Sequence, residues 1–114
     1  MNGRKDDAGK VLAGILYEDF PNALLAVAEV ATMGAEKYSR GNWKTVPNAE
    51  TRYSDALHRH LLEAARGNDF DAESELLHKA HAAWNALALL EMEIKKQLIV
   101  NSLESSIISP TQPE

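Results

Sequence analysis

Apolar side chains run almost without interruption through residues 76–90, LLHKAHAAWNALALL. That pattern predicts a helix buried around most of its circumference. His78, His81 and Asn85 interrupt it at steps of three and four residues, which places them on one helix face. Buried polar groups need partners, so three in one stripe mark a candidate site. Upstream, Leu24, Val27, Ala28, Ala31 and Ala35 recur at helical spacing and predict a helix over 21–38. Pro21, after Asp19, starts it, and Gly34 near its end permits close approach of another backbone. SRGNWKTVPNAET, residues 39–51, reads as a loop because Gly41, Asn42, Pro47 and Asn48 break regular structure. A second helix is predicted over 49–66, with Tyr53, Ala56, Leu57, His60, Leu61 and Ala64 inward and Gly67 as its C-terminal cap. A long helix then starts at about 72–74 and continues to about 98 or beyond.

These elements predict an all-α fold, an antiparallel helical bundle of three main helices preceded by an N-terminal arm. The arm, residues 1–18, begins polar and ends in VLAGILY, an apolar patch expected to dock as a short strand or extended segment. The last residues, 105–114, read as a flexible tail. Three helices leave much of the 76–90 apolar surface uncovered, which predicts completion by homo-oligomerisation unless the arm covers it within the monomer. At 114 residues the chain suits one domain with a modest core. A formal charge of -5 argues against binding duplex nucleic acid through a basic surface. The sequence contains no cysteine, which excludes disulfides, thiolate metal sites and cysteine nucleophiles. No signal peptide or membrane span is legible, and a cytoplasmic setting is expected.

Two short-connected helices pack antiparallel, so His60 and Glu63 are expected opposite His78 and His81. Imidazoles and a carboxylate facing each other across a helix pair suit a divalent metal, although any one of these histidines alone is more simply a hydrogen-bonded core residue. Asp55 is expected nearer Asn85, and His58 on the surface. A second constellation is GAEKYSRGNW, residues 34–43. There Lys37 and Arg40 can meet phosphate charge, Tyr38 and Trp43 offer flat faces to a base, and Asn42 offers a bidentate edge. Basic residues at a helix end and a tryptophan plugging the core are the plainer account. Lys10, in DDAGK, is a weaker phosphate candidate, and no P-loop, Rossmann, HExxH or nucleophile-elbow motif is present.

KDDAGK at 5–10, GAEKYSRGNW at 34–43, RYSDALHRHLLEAARGNDFDAES at 52–74 and HKAHAAWNALALLE at 78–91 together resemble the phage and prophage dATP/dGTP diphosphohydrolases, the MazZ-like family. Val11, Ser39 and Leu77 depart from its usual pattern in loops and caps. The resemblance implies kinship with MazG-like all-α nucleotide pyrophosphatases, whose carboxylate motifs EExxE and ExxD hold Mg²⁺. Laid on this chain, those motifs fall at Arg59, His60 and Glu63, and at His78 and His81. Residues 19–104 then form a nucleotide-pyrophosphohydrolase-like domain.

The reading implied is a metal-dependent hydrolase converting a purine dNTP to dNMP and pyrophosphate. Its expected metal shell is His60, Glu63, His78 and His81, with Glu63, His78 and His81 catalytic. Lys10, Lys37, Tyr38, Arg40, Asn42, Trp43 and Asn85 are expected to hold substrate. The family implies Mg²⁺ or Mn²⁺, whereas a histidine-rich shell suits Mn²⁺, Fe²⁺, Co²⁺ or Zn²⁺. A nucleotide-binding protein without turnover (a sponge or regulator) and a purely structural helical module are the competing readings.

Overall fold

The computed structural model describes residues 3–108, and the chain is all-α. Among the described residues four helices form: α1 (Gly14–Asp19), α2 (Pro21–Lys37), α3 (Ala49–Ala65) and α4 (His78–Ile108). A 3₁₀ turn, Asn42–Thr45, lies between α2 and α3. Helices α3 and α4 make the central hairpin, and α2 packs across α4. Residues 11–17, expected as a strand or extended arm, instead lead into α1, which rests on α2. Their apolar side chains, spaced for a helix, complete no sheet because no strand lies nearby among the described residues.

The end of α3 shows how local sequence fixes the hairpin. Gly67 adopts φ 93°, and its N–H bonds to the Ala64 carbonyl while the Asn68 N–H reaches Glu63. This pair of bonds satisfies terminal carbonyls and turns the chain back. Helix α4 begins at His78, later than the apolar pattern predicts. Residues 71–77 are diverted by Asp71, whose Oδ2 accepts the Ser74 N–H at 2.8 Å and whose carbonyl accepts the Glu75 N–H at 2.7 Å. Glu75 is left-handed, φ 64°, and an Asp–Ser turn of this kind competes directly with helix formation. The His78 N–H then bonds to the Asp69 carbonyl at 2.8 Å, pinning the start of α4 to the loop.

The core is thin. Among the described residues only Val30, Ala80, Ala82 and Ala88 are buried apolar positions, against four buried polar ones, His60, His78, His81 and Asn85. Val30 is the buried position of α2, while Ala28 and Ala31 of the predicted stripe are exposed. No neighbour approaches Gly34 either, since a Cβ there would meet nothing within 4 Å. The chain exposes 9332 Å² of surface, whereas a compact monomer of 12.6 kDa exposes about 6200 Å². Its radius of gyration is 19.6 Å, against about 13 Å for a compact chain of this length. No helix among the described residues is long and apolar enough to cross a membrane.

Candidate functional site

His60 projects from α3 toward the first turn of α4, where its Nδ1 lies 2.8 Å from Nδ1 of His78. One of these nitrogens must carry the proton and the other accept it. The His60 ring also stacks on His81, centroids 4.5 Å apart and planes 9° from parallel. His81 Nε2 is 2.7 Å from the Ser74 hydroxyl, and the Asn85 side-chain amide donates to the His81 carbonyl at 2.8 Å. Asp71 completes the cluster: one ligand atom each from His60, Asp71 and His78 lie within 4.8 Å of one another.

Burial, with the neighbouring His81, Arg59 and His78, lowers the His60 pKa to about 4. Burial likewise lowers that of His81, which Asp71 partly offsets. Burial pushes the Asp71 carboxyl up, but the Ser74 hydrogen bonds and the two histidines outweigh it and hold it below the usual value. The cluster therefore offers two imidazoles and a carboxylate, and at neutral pH His60 is uncharged. This is the protonation state in which imidazole and carboxylate donate to a cation. Two buried histidines with a half-buried aspartate also form a mixed N/O donor set of the kind that divalent transition metals accept.

Beside the cluster opens a cleft of about 1340 Å³, with His81 and Asn85 in its wall. Its remaining lining brings the end of α2 and the following loop against one face of α3. Tyr38, Arg40, Asn42 and Trp43 come from the first, and Arg52, Asp55 and Arg59 from the second. Gly34 lies in the same wall. Trp43 meets Trp84 and Tyr53 edge-on at 5.9 and 6.3 Å, and its carbonyl accepts the Tyr53 hydroxyl proton at 2.7 Å. Its ring thus anchors the loop to the hairpin and also borders the cleft.

Several expected site residues lie elsewhere. Glu63 accepts from Arg66 at 2.7 Å and from Asn68 at 3.0 Å, which lowers its pKa and commits both oxygens to the end of α3. Asp71 stands with the histidines where Glu63 was expected. Lys37 turns outward to Glu73 at 3.0 Å and does not line the cleft. Lys10 is exposed and also outside the lining. Asp55 and Asn85 do share the cleft wall, and His58 is exposed.

A family model described as "dATP/dGTP diphosphohydrolase, N-terminal" matches residues 1–102. The chain belongs to this family. It is similar to a dATP/dGTP diphosphohydrolase of Salmonella phage PMBT28, 40% identical over 83 residues, 73% of this chain and 27% of that protein. The chain thus spans about a quarter of the length of that relative. No solved structure matches it.

Within this family member, the residues given no site role from sequence are Asp71, Ser74, Arg52 and Arg59, the last entering only as a motif position. Arg52 and Arg59 are seven positions apart, two turns of α3, and so fall on one face. That spacing was available in the sequence. Asp71 gave a weaker signal, because a loop aspartate reads first as a turn former.

Proposed function

We propose that this chain carries a metal-dependent nucleotide phosphohydrolase site acting on a purine dNTP, with dNMP and pyrophosphate as products. The observation that carries the reading is the adjacency of the His60–Asp71–His78 cluster to a cleft lined by three arginines. His60, Asp71 and His78 would hold the divalent ion, which, when bound, polarises a phosphoryl oxygen and acidifies a coordinated water. Arg40, Arg52 and Arg59 neutralise the phosphate chain, since guanidinium forks pair with phosphate oxygens. His81, stacked on His60 and lining the cleft, is held through Nε2 by the Ser74 hydroxyl, which leaves Nδ1 as the ring nitrogen placed to take or deliver a proton. Tyr38 and Asn42 border the same space and fit a base by stacking and by an amide edge. The activity named for the phage relative, the family and the all-α fold together support this reading.

Binding without turnover is the second reading, favoured by a cluster with a single carboxylate where MazG-like signatures carry several. One assay separates the two. Purified protein is incubated with dATP or dGTP across Mg²⁺, Mn²⁺, Co²⁺ and Zn²⁺, resolving pyrophosphate from tripolyphosphate. Release of pyrophosphate is expected. Tripolyphosphate would transfer the site to triphosphohydrolase chemistry, and intact nucleotide with every metal would leave binding alone.

A further inference from the structure

The 31 residues of α4 extend about 46 Å, whereas the 17 of α3 cover about 25 Å, so the second half of α4 outruns its hairpin partner. Leu90, Ile94, Leu98, Ile99 and Leu103 stand exposed along that half. Where it leaves the hairpin, a groove of about 320 Å³ opens between Trp43, Met92, Ile99 and Val100, with Lys44, Lys95 and Lys96 on its rim. Its floor is apolar and its charged residues are all basic. Lys95 meets Glu91 only at 3.9 Å, with both side chains half exposed.

The chain also carries a complementary element, the segment leading through α1, which rests on α2 yet leaves its apolar side chains exposed. Val11, Leu12, Ile15, Leu16, Tyr17 and Phe20 are all exposed, Ile15 at 47% and Val11 at 90%. Glu18 and Asp19 stand among them. Helix α1 is therefore an apolar and acidic segment, and the groove is an apolar and basic one.

We propose that the groove receives the α1 segment of a second copy of this chain, giving a dimer in which each copy lends its α1 to the other. A two-fold axis makes the contact twice, doubling the apolar area covered. Trp43 borders both the groove and the large cleft, so the docked segment arrives next to the candidate site. Lys10 lies four residues before α1, within about 15 Å of extended chain. Docking thus brings the partner copy's Lys10 toward the cleft, which the chain's own Lys10 does not line. The Lys10 contribution rests on the phosphate reading of the cleft; the docking does not.

The chain has no cysteine, so engineered pairs report cleanly. Full-length Leu16→Cys and Ile99→Cys proteins, mixed and oxidised, should form a mixed disulfide dimer, and the double variant should give covalent dimer. An intrachain-closed monomer from the double variant, or no cross-link in the mixture, would overturn the exchange. Sedimentation supplies the second measure. Wild type should be dimeric, Lys95→Glu/Lys96→Glu and Glu18→Lys/Asp19→Lys each monomeric, and the four substitutions combined dimeric again. A monomeric wild type, or no rescue, counts against the proposal. For the site, Lys10→Ala and the monomeric lysine variant should each weaken dGTP binding about tenfold, without adding in combination. Additive losses would remove Lys10 from the shared site. If wild type binds no nucleotide, the phosphate reading fails while the cross-link still decides the dimer.

Discussion

Replacing Asp71 separates a metal ligand from a turn former, because the two roles use different properties of one carboxylate. Its Oδ2 accepts the Ser74 N–H at 2.8 Å, and it stands within 4.8 Å of donor nitrogens of His60 and His78. Asp71→Asn keeps an acceptor in place but removes the charge. A hydrogen bond to a charged group contributes about 1.5–3 kcal/mol and a neutral one about 1, so the loss is about 1 kcal/mol. For a domain of this size that lowers Tm by about 4–8 °C. Asp71→Ala deletes the acceptor and should cost about 1.5–3 kcal/mol, or roughly 6–24 °C. Metal binding should follow a different order. Both variants remove the only anionic donor of the cluster, and each should weaken Mn²⁺ or Zn²⁺ binding by more than about 100-fold, beyond what an outer-shell contact contributes. Thermal melts in chelator give the first series, and calorimetric titration of metal-free protein gives the second. If Asp71→Asn binds metal like wild type while Asp71→Ala is merely less stable, Asp71 only shapes the turn and the proposed ligand set is wrong.

Acid should destabilise the fold through His60. Its folded pKa, about 4, lies below the unfolded 6.5, so the unfolded chain binds the extra proton between these values. Stability is then complete above about pH 6.5 and falls as pH drops toward 4. Asp71, with its folded pKa lowered from 3.8, loses its contribution only at more acid pH, so melts of His60→Gln should be flatter across pH 4–6.5. Gly34→Ala should raise stability by about 0.5–1 kcal/mol, since a Cβ there meets nothing within 4 Å; lower stability would show a contact from another copy. Gly67→Ala should destabilise by about 1 kcal/mol because φ 93° disfavours a Cβ, with chemical denaturation as the measure. Arg59→Ala should weaken nucleotide binding about tenfold, whereas Lys37→Ala, which breaks an exposed pair with Glu73, should leave it unchanged.

The helical hairpin and its buried histidines were legible in the sequence because periodicity is a local property. Apolar spacing assigns the faces of 49–66 and 76–90; the connection is 66–77 and not the short turn 67–71 read from the sequence, yet it still returns the chain to pack α4 against α3. His60, His78 and His81 follow from that register alone. Glu63 and Asp71 show where it stops. Glu63 shares α3 with His60, yet the Schellman turn supplies Asn68 and Arg66 as nearer partners. Asp71 lies in a loop, where periodicity says nothing about direction, and hydrogen bonds to Ser74 and Glu75 aim it at the histidines.

The sequence by itself determined an all-α chain, the stripe of His78, His81 and Asn85, and an apolar surface too large for three helices to cover. Tertiary structure decided which carboxylate meets those histidines, which arginines face the cleft, and that Lys10 and Lys37 do not. The physical reason is reach. A helix face is set within a few residues by the backbone, whereas the direction of a loop or terminal side chain is set by whichever partner the fold brings nearest.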